Sequence, residues 1–138
     1  MREQDFRAIK PWLIATDLGM LTYWAVTAAK ALGILDIPGE YLYAGYDDPL
    51  MVIWNWSFFP LDLVFSVTGL AAAALLRCGH DGWRLLAPVS LALTWCAGFM
   101  ALSFWALQGS FDPVWWAMNG FLVAWPTAFW LRSWRQRR

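Results

Sequence analysis

The sequence predicts an all-α polytopic membrane protein, an antiparallel bundle of four transmembrane helices with both termini in the cytoplasm. Its 138 residues are 60% hydrophobic and 18% aromatic, with 12 tryptophans, which is too apolar for an ordinary soluble domain of this length. Four apolar segments are each long enough to cross a hydrocarbon layer, which takes about 20 residues of helix. They leave little other chain, so we expect one domain, residues 1–138.

The first two predicted helices cover about residues 11–35 and 49–76. The first is full length and carries Asp17, unlike the short apolar region of a cleavable signal peptide. The second is the longest apolar stretch and carries Asp62 and Pro60. Both therefore contain features that a simple membrane anchor does not need.

The third and fourth predicted helices cover about residues 83–107 and 113–131. A short connection with two glycines precedes the third helix, so we expect it to pack antiparallel to the second. Pro113 suits the first turn of the fourth helix, where its missing N–H costs nothing.

The positive charges orient this bundle, because Lys and Arg near helix ends stay on the cytoplasmic side. Nine of the ten basic residues fall on the side that holds both termini and the connection between the second and third helices. Only Lys30 lies on the other side, with five acidic residues. The nine are Arg2, Arg7, Lys10, Arg77, Arg84, Arg132, Arg135, Arg137 and Arg138.

Several kinds of chemistry find little support in the sequence. Cys78 and Cys96 do not form a C-x-x-C redox motif, and His80 is the only histidine, so we predict no metal site and no cofactor. The basic C-terminal residues are explained by membrane topology, and no nucleic-acid partner is expected.

Asp62 is the first candidate functional residue. A carboxyl group near mid-bilayer costs about 2.5 to 3.5 kcal/mol, so such residues usually bind or react with something. Apolar surroundings favour the neutral form, and we expect Asp62 to be protonated at rest and able to donate a proton. The alternative is a purely structural carboxyl that bridges two helices by a hydrogen bond.

The neighbours of Asp62 predict a polar interior space. Asn55 lies seven residues earlier and projects from the same helix face. Asn119 lies at a similar depth on the fourth helix, and Tyr23 on the first helix approaches the depth of Asp62. Pro60 frees a backbone carbonyl nearby. We therefore expect Asn55, Asp62 and Asn119 to face one common space.

Further candidates come from the first three predicted helices. Asp17 lies about two turns above the cytoplasmic start of the first helix, and it is a second carboxyl that would act with Asp62 if the two were close. Flat aromatic faces could line an apolar pocket, whereas tryptophans near helix ends belong to the membrane interface. Asn and Thr side chains alternatively serve as interhelical contacts worth about 0.6 to 2 kcal/mol. The remaining predicted ligand-binding residues are Trp24, Trp54, Trp56, Thr94 and Trp95.

The connection between the first two helices, residues 36–48, differs from the other two. It combines turn residues with three tyrosines, Tyr41, Tyr43 and Tyr46. One interpretation is anchoring at the membrane interface, where tyrosine is common. The other is a lid over an outward-facing cavity.

The stretch from Trp54 to Asp62, together with Asp17 and the loop Glu40-Tyr41-Leu42-Tyr43, resembles the YvaD-like family of small bacterial membrane proteins. This resemblance implies a bacterial cytoplasmic membrane location. More distantly, Glu40 to Tyr43, Asp48-Pro49-Leu50, Asp62 and Pro126 are similar to the EXPERA superfamily, which includes the emopamil-binding sterol isomerase and the sigma-2 receptor. That resemblance implies a sterol-sized cavity bordered by an acidic residue on each of the first two helices.

The leading functional hypothesis is an intramembrane cavity for a lipophilic sterol-like or terpenoid-like molecule, surrounded by membrane lipid. In an enzyme version, an isomerase or cyclase, Asp62 acts as general acid. A non-catalytic lipid-binding protein needs the same cavity without turnover. Two alternatives stay open: a proton-coupled small multidrug-type exporter, which requires a homodimer and could use Asp17, and a subunit of a larger membrane complex.

Overall fold

The computed structural model describes residues 1–135, and within that range it contains four long α-helices and no strand. The predicted all-α class is therefore confirmed. Arg137 and Arg138, which contributed to the charge argument, lie outside the described residues. The helices are α1 (Glu3–Ala31), α2 (Pro49–Arg77), α3 (Trp83–Gln108) and α4 (Pro113–Arg135), with one 3₁₀ turn at Gly39–Tyr41.

The main difference from the sequence prediction concerns α1, which was expected over residues 11–35. The helix begins eight residues earlier, at Glu3, and Pro11 lies inside it. Glu3 and Asp5 lie in the first turn, where acidic side chains interact favourably with the positive end of the helix dipole. Glu3 also forms an ion pair with Arg7 at 2.7 Å. The helix ends at Ala31 because Gly33 adopts a left-handed conformation, φ 72°.

The starts of α2 and α4 follow the same local pattern, an aspartate followed by a proline. Asp48 Oδ1 accepts a hydrogen bond from the Leu50 N–H at 2.9 Å. Asp112 Oδ1 accepts from two N–H groups in the first turn of α4, at 2.9 and 3.0 Å. Both carboxylates thus satisfy donors that would otherwise lack partners at a helix start. Pro113 occupies the first turn of α4, as predicted.

Contacts between successive helices show that each consecutive pair runs antiparallel, because residue numbers rise on one helix as they fall on its neighbour. Consecutive helices pack together, whereas α1 and α4 meet only sparsely. The contacts are Asp17 with Gly69 and Tyr23 with Asn55 (α1, α2), Gly69 with Ser90 and Trp54 with Phe104 (α2, α3), and Trp95 with Thr127 and Gly98 with Asn119 (α3, α4).

The end of the bundle that carries the N-terminus is solidly packed. Its core joins apolar side chains of α1, α2 and α3 around Phe6, which stacks on Trp83 with ring centroids 5.1 Å apart. Trp83 was predicted to lie at the membrane interface; instead it is buried, because the longer α1 brings Phe6 over it. The core residues are Phe6, Ile9, Leu13, Ala72, Leu76, Trp83, Ala87 and Leu91.

Two helices, α2 and α3, are long and apolar enough to cross a membrane. In each, only 39% of the most apolar stretch is buried within the protein. The remaining apolar side chains point outward, which is unusual for the core helix of a soluble protein.

Candidate functional site

The other half of the bundle encloses a cavity of about 780 Å³ that is lined by all four helices and by the loop before α2. Ligand pockets in proteins usually have volumes of about 300 to 1,000 Å³. The solid core and the cavity occupy opposite ends of the helix bundle, so the fold is packed at one end and hollow at the other.

Asp62 lies on the wall of this cavity and is 5% exposed. Its Oδ2 accepts a hydrogen bond from the indole Nε1–H of Trp24 at 2.9 Å, which ties α2 to α1 and fixes the carboxyl orientation. Its Oδ1 has no hydrogen-bond partner within residues 1–135. One oxygen is thus held in place, and the other is buried without a partner.

Asn55 lies at the cavity two turns from Asp62, also on α2. The Tyr23 hydroxyl donates a hydrogen bond to Asn55 Oδ1 at 2.8 Å. Asn55 Nδ2 lacks a partner in the described part of the chain. This pair therefore adds a buried donor without a partner, two helical turns from the unpartnered oxygen of Asp62.

Asn119 reaches the same cavity from α4. Its Nδ2 donates to the carbonyl of Trp115 at 2.9 Å. The backbone of α4 approaches α3 closely there, since a Cβ at Gly98 would come within 2.7 Å of the Asn119 carbonyl oxygen. The cavity wall thus includes Asn55, Asp62 and Asn119 together, as the sequence predicts.

Aromatic side chains form much of the remaining wall. Trp24, Trp54 and Tyr23 line the cavity, as expected from their depth. Trp54 is held by stacking on Phe104, with centroids 4.1 Å apart. Fixed aromatic faces suit a flat apolar molecule, and they also favour a nearby positive charge.

Asp17 lies elsewhere, so the structure does not bring the two carboxyls to one site. It is 1% exposed and packs against Gly69 and Ser90, with no hydrogen-bond partner for either oxygen in residues 1–135. Gly69 is seven residues, about 10 Å along α2, from Asp62. Its side chain lies at the contact with α2 rather than on the cavity wall.

Three predicted ligand-binding residues do not line the cavity. Trp56 follows Asn55 directly on α2, so it projects from a different face of the helix. Its ring packs against the ring of Trp24, with centroids 5.3 Å apart. The Thr94 hydroxyl donates to the Ser90 carbonyl of its own helix at 2.9 Å. Trp95 is turned toward α4, where its Nε1–H donates to the Thr127 hydroxyl at 3.0 Å.

The structure adds cavity residues that were not singled out as ligand-binding, from the connections and from the start of α4. Glu40, Tyr41 and Leu42 contribute from the loop, and Asp112 and Trp115 from α4 and its cap. The composition of the loop was a sequence signal that Glu40 and Tyr41 could lie at a cavity. The sequence around Asp112, by contrast, indicated only a helix cap.

The loop next to the cavity is anchored by Tyr43, which is 2% exposed and packs against the ring of Tyr46 at 5.1 Å. Burial raises the pKa of the Tyr43 phenol, so it stays uncharged. Tyr41, by contrast, is exposed at the cavity edge. The loop thus has one buried tyrosine that fixes it and one that faces outward.

The carboxyl groups on the cavity wall are those of Glu40, Asp62 and Asp112, and no basic residue of the described chain lines it. Within residues 1–135 no group of three or more His, Cys, Asp or Glu side chains is arranged to hold a metal ion. The arrangement therefore offers carboxyl groups and aromatic faces.

Comparison with known proteins places the chain in a family. Residues 9–137 match a family described as a family of unknown function, DUF5360. The chain belongs to that family. It is also 43% identical over 123 residues to an uncharacterized protein, YvaD, of Bacillus subtilis (strain 168), a match that covers 89% of each chain.

The resemblance to the YvaD-like family is therefore confirmed. No solved structure matches the chain. The similarity to the EXPERA superfamily stays a prediction.

Proposed function

We propose that this chain is a multi-pass protein of the bacterial cytoplasmic membrane, with four transmembrane helices and both termini in the cytoplasm. The outward-facing apolar side chains of α2 and α3 support a lipid environment. The basic residues cluster at the end of the bundle that carries the N-terminus, as the positive-inside rule requires.

The lengths of α1 and α4 are consistent with membrane spans. The 23 residues of α4 extend about 35 Å, slightly more than the hydrocarbon core of a bilayer. The part of α1 from Pro11 to Ala31 is about 30 Å long. Its charged residues Glu3, Asp5, Arg7 and Lys10 precede that part and would lie in the cytoplasmic interface.

We further propose that the cavity binds a lipophilic sterol-like or terpenoid-like molecule, with its polar end at Asp62. The observation that supports this most is a carboxyl group held by Trp24, with Oδ1 unpaired, on the wall of a 780 Å³ cavity. A buried polar atom without a partner is costly, and a ligand that donates a hydrogen bond would satisfy it. The three acids of the wall favour a hydroxyl or amine as that polar end.

The same geometry supports acid catalysis by an isomerase or cyclase. Protonated Asp62 would transfer its proton to a double bond or an epoxide oxygen of the ligand, leaving a carboxylate and a carbocation. Trp24 and Trp54 would stabilise that cation through their ring faces. Loss of a proton from the cation back to the carboxylate would give the product and restore the acid. A non-catalytic lipid-binding protein would use the same contacts without these steps.

A direct test is incubation of the purified protein in nanodiscs with sterols and polyprenyl compounds, followed by mass spectrometry of the lipid extract. New product that is absent with Asp62→Asn would support the enzyme, and retention of a compound without conversion would support the binding protein. Failure to retain or convert any compound would contradict the proposed site.

The exporter hypothesis differs in requiring two copies of the chain to enclose a pathway. Here one chain surrounds the cavity with its own four helices. A protein that is strictly monomeric in native nanodiscs would exclude the dimeric exporter and leave the proposed function intact.

A further inference from the structure

We infer that the ligand enters the cavity sideways from the bilayer, through a window between α1 and α4. This inference rests on the proposed function and adds to it the route by which the ligand arrives. It follows from the packing of these two helices, from the exposure of particular cavity residues and from the position of the acids.

The helices α1 and α4 meet only sparsely along their length, which leaves a window between them. A contact between two aromatic rings marks each end of this window. Toward the solid core, the rings of Trp12 and Phe121 lie 6.1 Å apart. Toward the loop end, the rings of Tyr23 and Trp115 lie 6.4 Å apart. Trp12 and Tyr23 are eleven residues apart on α1, so the two contacts are separated by about 16 Å along the helix.

Between these contacts, residues on both helices line the cavity and are also accessible to solvent. They are Ala15 and Gly19 on α1 and Ala117 and Met118 on α4. Because α1 and α4 make few contacts with each other, we infer that the cavity meets the exterior between these residues. A Cβ added at Gly19 would meet no atom within 4 Å, so the opening is not closed by a neighbouring side chain.

The surface around the window is apolar, which matches a lipid-facing position. Leu18 is 51% exposed, beside Gly19 on α1. By contrast, the end of the cavity near the loop is flanked by the carboxyls of Glu40 and Asp112. A lipophilic molecule that is already dissolved in the bilayer would reach the cavity through the window without passing those charged groups.

The test measures how fast a thiol in the cavity reacts with reagents that arrive from lipid or from water. Phe58→Cys places the thiol on α2, on the cavity wall, at a residue that is only half-buried, in a background that carries Cys78→Ser and Cys96→Ser. N-dodecylmaleimide partitions into the bilayer, whereas a sulfonated maleimide of the same reactivity stays in water. Gly19→Trp narrows the window. The matched control is Gly120→Trp, at a glycine with equal open space that does not line the cavity.

We expect N-dodecylmaleimide to modify the thiol at least about tenfold faster than the sulfonated reagent, and Gly19→Trp to remove most of that advantage while Gly120→Trp leaves it unchanged. Equal rates for the two reagents, or equal rates in the two tryptophan variants, would overturn lateral entry and leave the cavity in place. A thiol that reacts with neither reagent until the protein is denatured would overturn the open cavity itself, and the proposed function with it.

Discussion

At the residue scale, the proposed site depends on the contacts that hold the Asp62 side chain in position. The Trp24 indole donates a hydrogen bond to one carboxyl oxygen of Asp62. Two helical turns away, the Tyr23 hydroxyl donates a hydrogen bond to Asn55. The polar groups of the cavity are thus positioned in pairs, and each pair retains one unpartnered atom, Asp62 Oδ1 and Asn55 Nδ2, within residues 1–135. A ligand with a polar group at this part of the cavity would supply partners for these two atoms.

Replacing Asp62 separates a functional carboxyl from a structural one. Asp62→Asn keeps the side-chain volume and can accept the Trp24 hydrogen bond, so the thermal stability should change by the equivalent of about 1 kcal/mol or less. Ligand binding or turnover should be lost, because the amide has no proton to transfer and does not carry a negative charge. Asp62→Ala should lose both the ligand and some stability. Normal activity in the Asn variant would remove Asp62 from the mechanism.

Gly69 tests the close packing around Asp17. A Cβ at position 69 would overlap the Asp17 carboxyl and come 2.7 Å from Ser90 Oγ, so Gly69→Ala should destabilise the protein by about 1 to 3 kcal/mol. Gly19→Ala, where a Cβ meets nothing, is the matched control and should not destabilise it. The measurement is thermal unfolding in detergent.

A second variant identifies the group that opposes the new methyl. Adding Asp17→Ala to Gly69→Ala should restore part of the lost stability if the carboxyl is the obstacle. Unchanged stability in the single variant Gly69→Ala would contradict the observed contact of α1, α2 and α3.

Sequence reasoning located some of these residues and missed others for physical reasons. Helical spacing on α2 and matched depth on α4 were enough to predict that Asn55, Asp62 and Asn119 share a cavity. Asp17 could not be placed, because counting residues along α1 gives a depth but not the neighbour that the side chain packs against, which is Gly69. Trp56 was misplaced because depth alone does not specify which side of a helix a residue faces.

At the element scale, the loop before α2 has one buried tyrosine and a group of residues at the cavity edge. Tyr43 is buried and fixes the loop, whereas Glu40, Tyr41 and Leu42 border the cavity. Its position next to the cavity would let it act as a cover, and the burial of Tyr43 determines how firmly that cover is held.

Loss of the buried tyrosine should loosen the loop without unfolding the bundle. We expect Tyr43→Ala to raise amide hydrogen exchange in residues 36–48 by at least about tenfold, because local opening then costs less free energy. Tyr41→Ala is the control, since that ring is exposed and should leave exchange unchanged. Equal exchange in the two variants would show that Tyr43 does not anchor the loop.

The element boundaries show what local signals can predict. The starts of α2 and α4 were predicted correctly, because Asp48 and Asp112 cap them and a proline follows each. The start of α1 was not, because Pro11 resembled a first-turn residue and the charged residues before it resembled a solvated tail. Burial of Phe6 against Trp83 stabilises those extra turns, and such a tertiary contact cannot be read from local sequence.

At the scale of the whole molecule, the fold divides into a solid end and a hollow end, and the proposed topology would place the solid end on the cytoplasmic side. Composition predicted the all-α class. It did not predict the division, because the tight core depends on which small residues of α2 and α3 face Phe6 and Leu13.

The proposed orientation can be tested with thiols on opposite sides of the bundle. Cys78 is exposed in the connection between α2 and α3, and Ser110→Cys introduces an exposed thiol in the connection between α3 and α4. A membrane-impermeant maleimide applied to intact spheroplasts should label position 110 and spare Cys78, with Cys96→Ser present in both cases. Labelling of Cys78 alone would reverse the proposed topology.

The most direct measurement is an experimental structure of the protein purified from its native membrane and kept in lipid throughout. We expect elongated non-protein density inside the cavity, with one polar end within about 3 Å of Asp62 Oδ1. Density that continues toward lipid between α1 and α4 would agree with lateral entry of the ligand. A collapsed cavity, a cavity filled only with ordered water, or an Asp62 side chain that points into the bilayer would contradict the proposed ligand site.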